Sequence, residues 1–131
     1  WLHYKPHYDV TEDKGAIRAS FCTDPAIKNT PFNFISEAFA SALAVVALGT
    51  FSTIETGLGP FMVGILVWAV GLGLGGTTGY AINPARDLGP RIMHAILPIP
   101  NKGDSGWEYA WIPVLGPAAG AVLGAFILTL N

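Results

Sequence analysis

The sequence predicts an all-α membrane protein. Three observations carry that expectation. Of its 131 residues, 51% are hydrophobic and only 12% charged, and a mean hydropathy of +0.46 is too apolar for an ordinary soluble domain of this length. Charge is also segregated. Trp1 to Pro31 holds four basic and four acidic residues, whereas from Asn33 to Ala85 the only charged side chains are Glu37 and Glu55. Finally, three segments approach the roughly 20 apolar residues that a helix needs to cross about 30 Å of hydrocarbon.

The first 32 residues read as a polar segment ahead of the apolar spans. No basic n-region with a short apolar stretch and cleavage site opens the chain, so no signal peptide is expected. The first residue is Trp1 rather than an initiating Met, and the chain is read as one piece of a longer protein. Lys5, Lys14, Arg18 and Lys28 would place this segment in the cytoplasm by the positive-inside count.

The first predicted span covers residues 33–53, entered through Asn29-Thr30-Pro31 and closed by the turn-forming TGLGP at Thr56 to Pro60. The second covers 60–77, and Phe61 to Gly76 contains no charge at all. The third covers 109–130. Small residues recur there at four-residue spacing, Gly116, Gly120 and Gly124, which in lipid lets helix backbones approach closely. Trp1, Trp107, Tyr109 and Trp111 fall near predicted interfaces, where amphipathic rings anchor a membrane protein.

Between the second and third spans lies GYAINPARDLGPR, Gly79 to Arg91. Asn83 is a preferred helix N-cap and Pro84 suits the first helical position, so a helix should start there and run to about Leu97, with Pro90 disturbing its middle. About 14 residues make roughly 21 Å, too short to span. The stretch 78–97 is therefore read as a re-entrant loop and half-helix. Irregular backbone at membrane depth survives only when buried in protein or lining a wet cavity, and Gly75-Gly76-Thr77-Thr78-Gly79 offers the flexibility for it.

The positive start of that helix favours Asp87 and opposes Arg86, so Arg86 is not there to stabilise the helix. An arginine in a membrane region marks a functional site, and beside a positive helix end it raises a barrier to protons and cations. Asp87 and Arg91 are candidates to hold the loop and its arginine in place. An Asn-Pro start or an Arg-Asp pair alone is commonplace. Their conjunction on a sub-spanning helix between apolar spans predicts a pore.

GYAINPARDLGPR, with GPAAGAVLGAF downstream and TEDKGAIRASFCTDPAIKNTPFNFISE upstream, resembles the C-terminal half of the bacterial glycerol facilitators, aquaglyceroporins of the aquaporin superfamily. The resemblance covers essentially the whole chain. It implies an aquaporin-like right-handed helical bundle of two inverted repeats, of which this chain would supply the second: spans four to six and one re-entrant half-helix. The N-terminal half of the same channel would supply the rest. By the same resemblance Asn83, Pro84 and Ala85 form the second NPA box, and Arg86, Tyr80 and Gly71 contribute to the selectivity filter, Tyr80 standing where Phe is common. Backbone of Gly79, Ala81 and Ile82 would line the pore. Asp87 resembles the acid that marks glycerol channels, and Glu37 a buried glutamate that braces the re-entrant loop.

The function so implied is passive, non-ionic passage of glycerol, related small neutral solutes and water, through a homotetramer in the bacterial plasma membrane. Family orientation puts Trp1 to Pro31 outside, against the positive-inside count, and is followed here. A water-selective aquaporin is the nearest rival, with Gly71 and Asp87 against it. An intramembrane enzyme would need catalytic groups. His3 and His7 have i, i+4 spacing but no third ligand, and His94 reads as a polar residue near the external end of the half-helix. A passive structural membrane protein would have no use for Arg86. No metal or cofactor is expected, a net charge of -2 argues against nucleic acid, and Cys22 permits no intrachain disulfide.

Overall fold

The computed structural model describes residues 1–51 and 57–130. The end of the first predicted span, Glu55 and Thr56 lie outside the described residues, as does Asn131. Among the described residues six helices follow in order: α1 (Lys5–Val10), α2 (Lys14–Ala19), α3 (Thr30–Phe51), α4 (Gly59–Thr78), α5 (Pro84–Ile96) and α6 (Ile112–Leu128).

The two short helices were not expected in the polar N-terminal segment. Local chemistry accounts for them: Pro6 stands in the first turn of α1, and Asp13 caps α2 by accepting from the Gly15 and Ala16 amides. Helix α3 starts earlier than its apolar run because its cap is reciprocal. The Asn29 Oδ1 accepts from the Phe32 amide and the Asn33 Oδ1 accepts from the Asn29 amide, satisfying donors that a helix start leaves open.

Helices α3 and α4, of 22 and 20 residues, are long and apolar enough to cross a bilayer. Helix α6, with 17 residues, is about 25 Å long, at the short end of what spans. It packs along α3 through its glycine stripe. A Cβ at Gly120 would stand 2.1 Å from the Ala38 carbonyl oxygen, one at Gly124 2.7 Å from that of Ala42, and one at Gly116 2.8 Å from Glu37 Cβ. No other residue permits so close an approach, and the packing gained replaces the hydrophobic force that lipid removes.

The expected flexible link before Asn83 is largely helical. Gly75 to Thr78 belong to α4, and only Gly79 leaves it, in the left-handed conformation at φ +80°. Away from water a helix is the cheapest way to satisfy backbone groups, so glycine's weak propensity is overridden. Likewise α5 runs through Pro90 without breaking. The side chains of Asp87 and Arg91, bonded at i, i+4 across that proline, hold the turn together.

Candidate functional site

The site is assembled where α4 ends, α5 begins and α3 passes behind them. Gly79 releases the chain from α4, and Tyr80 and Ile82 then adopt positive φ of 43° and 44°. For a β-branched residue such as Ile82 that conformation is a real outlier, costing about 1–3 kcal/mol, and it persists only where the surroundings dictate it.

Glu37 dictates it. This carboxylate on α3 is fully buried. Its Oε1 accepts from Thr78 Oγ1 at 2.6 Å and the Ala81 amide at 3.0 Å, and its Oε2 accepts from the Ile82 amide at 2.9 Å. A buried charge must be paid by hydrogen bonds, and three charge-assisted ones tie the loop to α3. With the amides so engaged, the carbonyls of Gly79, Tyr80, Ala81 and Ile82 have no hydrogen-bond partner among the described residues.

Asn83 ends the loop and caps α5, its Oδ1 accepting from the Ala85 amide at 3.0 Å and Pro84 following at the first helical position. Its side-chain amide donors stay free among the described residues, and Asn83 is exposed. Arg86 is exposed as well, and its guanidinium carbon stands 5.7 Å from the centre of the Tyr80 ring. Tyr80, Ala81, Ile82, Asn83 and Arg86 line one groove of about 250 Å³, together with Val67.

The Tyr80 ring rests on a bed of glycine. A Cβ at Gly71 would lie 3.1 Å from its Cζ, and one at Gly75 2.7 Å from its Cδ1. Sequence reasoning named Gly71 but missed Val67 and the ring-bearing role of Gly75. The signal was present: 67, 71 and 75 share one helix face at four-residue spacing.

Asp87 and Arg91 make no hydrogen bond to Arg86 among the described residues. Both are fully buried and join in a two-bonded pair, Arg91 Nε to Asp87 Oδ1 at 2.7 Å and Nη2 to Oδ2 at 2.8 Å. Arg91 Nη1 also donates to the carbonyls of Ser105 and Gly106 at 2.6 and 3.0 Å, and Nη2 to that of Thr23 at 2.7 Å. The pair therefore clamps two connecting loops onto α5. Its reach could not be read from sequence, since Thr23, Ser105 and Gly106 carry no motif.

His94 stands in the last turn of α5 and is fully buried, its Nδ1 sharing a 2.8 Å hydrogen bond with Ser105 Oγ and its ring meeting that of Phe21 edge-on. One expectation is corrected. Tyr109 is buried too, its ring 5.9 Å from the Arg91 guanidinium carbon, so it is not an interfacial anchor, unlike the exposed Trp107 and Trp111. No group of three or more potential metal ligands occurs among the described residues.

A bundle of apolar helices, carrying a capped helix too short to span and a strained loop whose carbonyls have no partner among the described residues, defines a class of helical membrane protein. The family model described as "Major intrinsic protein" matches residues 26–128, and the chain belongs to that family. It is 57% identical over 99% of its length to a glycerol uptake facilitator protein of Streptococcus pneumoniae, covering 56% of that protein. To glycerol uptake facilitator protein 3 of Lactiplantibacillus plantarum it is 54% identical over 99% of its length, covering 55%. To the glycerol uptake facilitator protein of Bacillus subtilis it is 53% identical over 95%, covering 46%. The chain thus spans about half the length of the curated relatives it matches.

Proposed function

We propose that this chain forms the filter-bearing half of a passive channel for glycerol and related small neutral solutes, water passing as well. In this reading α3, α4 and α6 are spans four, five and six, α5 is the second re-entrant half-helix, and residues 1–32 lie outside. The N-terminal half of the same channel closes the pore, four copies assemble in a bacterial plasma membrane, and no chemistry is performed on the solute.

The observation that carries the proposal is the two-sidedness of the groove. Along it run the carbonyls of Tyr80, Ala81 and Ile82, the amide donors of Asn83 and the guanidinium of Arg86, all without a hydrogen-bond partner among the described residues. Opposite in character are the Tyr80 ring and Val67. A polyol has hydroxyls on one edge and carbons on the other. Arg86 and Asn83 donate to its oxygens, the carbonyls accept from its hydroxyls, and the ring covers its carbons, so lost water is replaced bond for bond.

Ions are refused by the same parts. A cation meets the fixed charge of Arg86 and the positive start of α5, while an anion loses its hydration along a row of carbonyl oxygens. Gly71 leaves Tyr80 room to lie back, which favours a polyol over the narrower filter of a water-selective channel. The supporting experiment reconstitutes the complete channel in liposomes and follows swelling in a glycerol gradient by light scattering. Glycerol entry well above that of protein-free liposomes is expected; entry equal to theirs would reject the reading.

A further inference from the structure

The Asp87–Arg91 clamp has a target that the channel reading leaves unused. Thr23, in the loop between α2 and α3, is buried at 4% exposure. Its amide and its Oγ1 both donate to Asp87 Oδ2, at 2.8 and 2.6 Å, and its carbonyl accepts from Arg91 Nη2 at 2.7 Å. Every polar group of this threonine is therefore committed to the first two turns of α5.

Its hydrocarbon side lies against Gly79. A Cβ built there would stand 3.2 Å from Thr23 Cβ and 3.3 Å from Thr23 Cγ2. Three residues on, the Ala26 amide donates to the Thr77 carbonyl at 3.1 Å, which fastens the same loop to the last turn of α4. Gly79 is the left-handed residue that ends α4 and sets the course of Tyr80. Arg86 precedes Asp87 in the first turn of α5. A continuous path of contacts thus runs from one side of the groove to the other: Arg86, Asp87, Thr23, Gly79, Tyr80. Glu37 holds Ala81 and Ile82 but touches neither end of this path.

Resting on the channel reading, we infer that Thr23 is a positioning residue for solute selection: by wedging Gly79 against Asp87 it fixes the separation of the Tyr80 ring from Arg86. The hydroxyl sets the wedge's place through Asp87, and the methyl transmits it to Gly79. Without the wedge, Gly79 is free to swing and the ring shifts on its glycine bed. Glycerol, which needs hydroxyl contacts and carbon contacts at once, loses more than water does. Small displacements of positioned groups have large kinetic effects.

The test reconstitutes the complete channel and measures glycerol and water permeability side by side for three variants. Thr23→Val keeps a methyl group against Gly79 but loses the hydroxyl's bond to Asp87, the amide's bond remaining. Thr23→Ser keeps the hydroxyl's bond but loses Cγ2, and Thr23→Ala loses both. Once the flux of protein-free liposomes is subtracted from each, the ratio of the two permeabilities is independent of how much channel inserts, so a variant that folds poorly is still informative. Each variant is expected to lower the glycerol-to-water ratio by about threefold or more, with Thr23→Ala lowest. Wild-type channel that conducts glycerol, with variants whose ratio is unmoved while both fluxes fall together, would overturn the positioning role alone. Wild-type channel that conducts no glycerol would overturn the channel reading and this inference with it.

Discussion

Glu37 and Ile82 are 45 residues apart in sequence, yet the Glu37 Oε2 accepts a hydrogen bond from the Ile82 amide at 2.9 Å. That contact, with its companions to Ala81 and Thr78, explains how a β-branched residue is held at φ 44°. Strain at Ile82 is offset by charge-assisted bonds that a relaxed loop could not make.

Glu37→Gln tests that balance. The amide keeps the shape but turns one acceptor into a donor facing an amide or hydroxyl donor. The loss of one bond to a charged group should cost about 1.5–3 kcal/mol. Thermal unfolding of the purified channel in detergent should show a lower midpoint and a smaller folded yield; unchanged melting and flux would remove Glu37 from its bracing role.

Arg86→Ala should leave the fold intact, since its guanidinium makes no hydrogen bond among the described residues and lies 5.7 Å from the Tyr80 ring centre. Its removal takes away the fixed charge at the positive helix start. Proton leak, followed with a pH-sensitive dye trapped in liposomes, should rise about tenfold, equivalent to about 1.4 kcal/mol of barrier. A leak no greater than wild type would assign the barrier to other groups.

Arg91→Leu should be far more damaging than Arg86→Ala. It strands the fully buried Asp87 carboxylate and leaves the carbonyls of Thr23, Ser105 and Gly106 unpaired. Breaking a buried pair from one side costs about 3–5 kcal/mol, so little folded channel should be recovered by size exclusion. Recovery equal to wild type would mean that the clamp contributes nothing to folding.

Cys22 should resist alkylation. It is buried at 2% exposure, and burial raises its thiol pKa, partly opposed by the nearby Arg91 charge. Raising the folded-state value means that the reactive thiolate is scarcer at pH 8 than in a free thiol. Maleimide labelling of the native channel should be slow and become fast only in denaturant. Rapid labelling at pH 7 would show that the loop around Cys22 opens readily.

Much of this was legible in the sequence because membrane physics leaves few options. A run of about 20 mainly apolar residues reads as a span, and α3, in which Glu37 is the one charged residue, and α4, which has none, lie where such runs were found. Asn83-Pro84 announced α5 because capping is local chemistry. The small residues of α6 announced close packing. What was not legible depends on contacts between distant segments. Nothing near Thr23 hints that it meets Asp87 64 residues later. The burial of His94 was hidden because it comes from Phe21 and Ser105, neither adjacent to it. The predicted span 60–77 already took in Gly75 to Thr77, but glycine propensity argued for a flexible link there, and tertiary context overrode it.

The most direct test compares glycerol and water permeability of the complete channel, wild type against Gly71→Phe and Tyr80→His, in the same liposome preparation. Any side chain at position 71 begins 3.1 Å from the Tyr80 ring, and a phenyl group must push that ring toward Arg86. Glycerol permeability should fall by about tenfold or more, with water permeability reduced much less. Equal losses of both in either variant would contradict a filter between Tyr80 and Arg86.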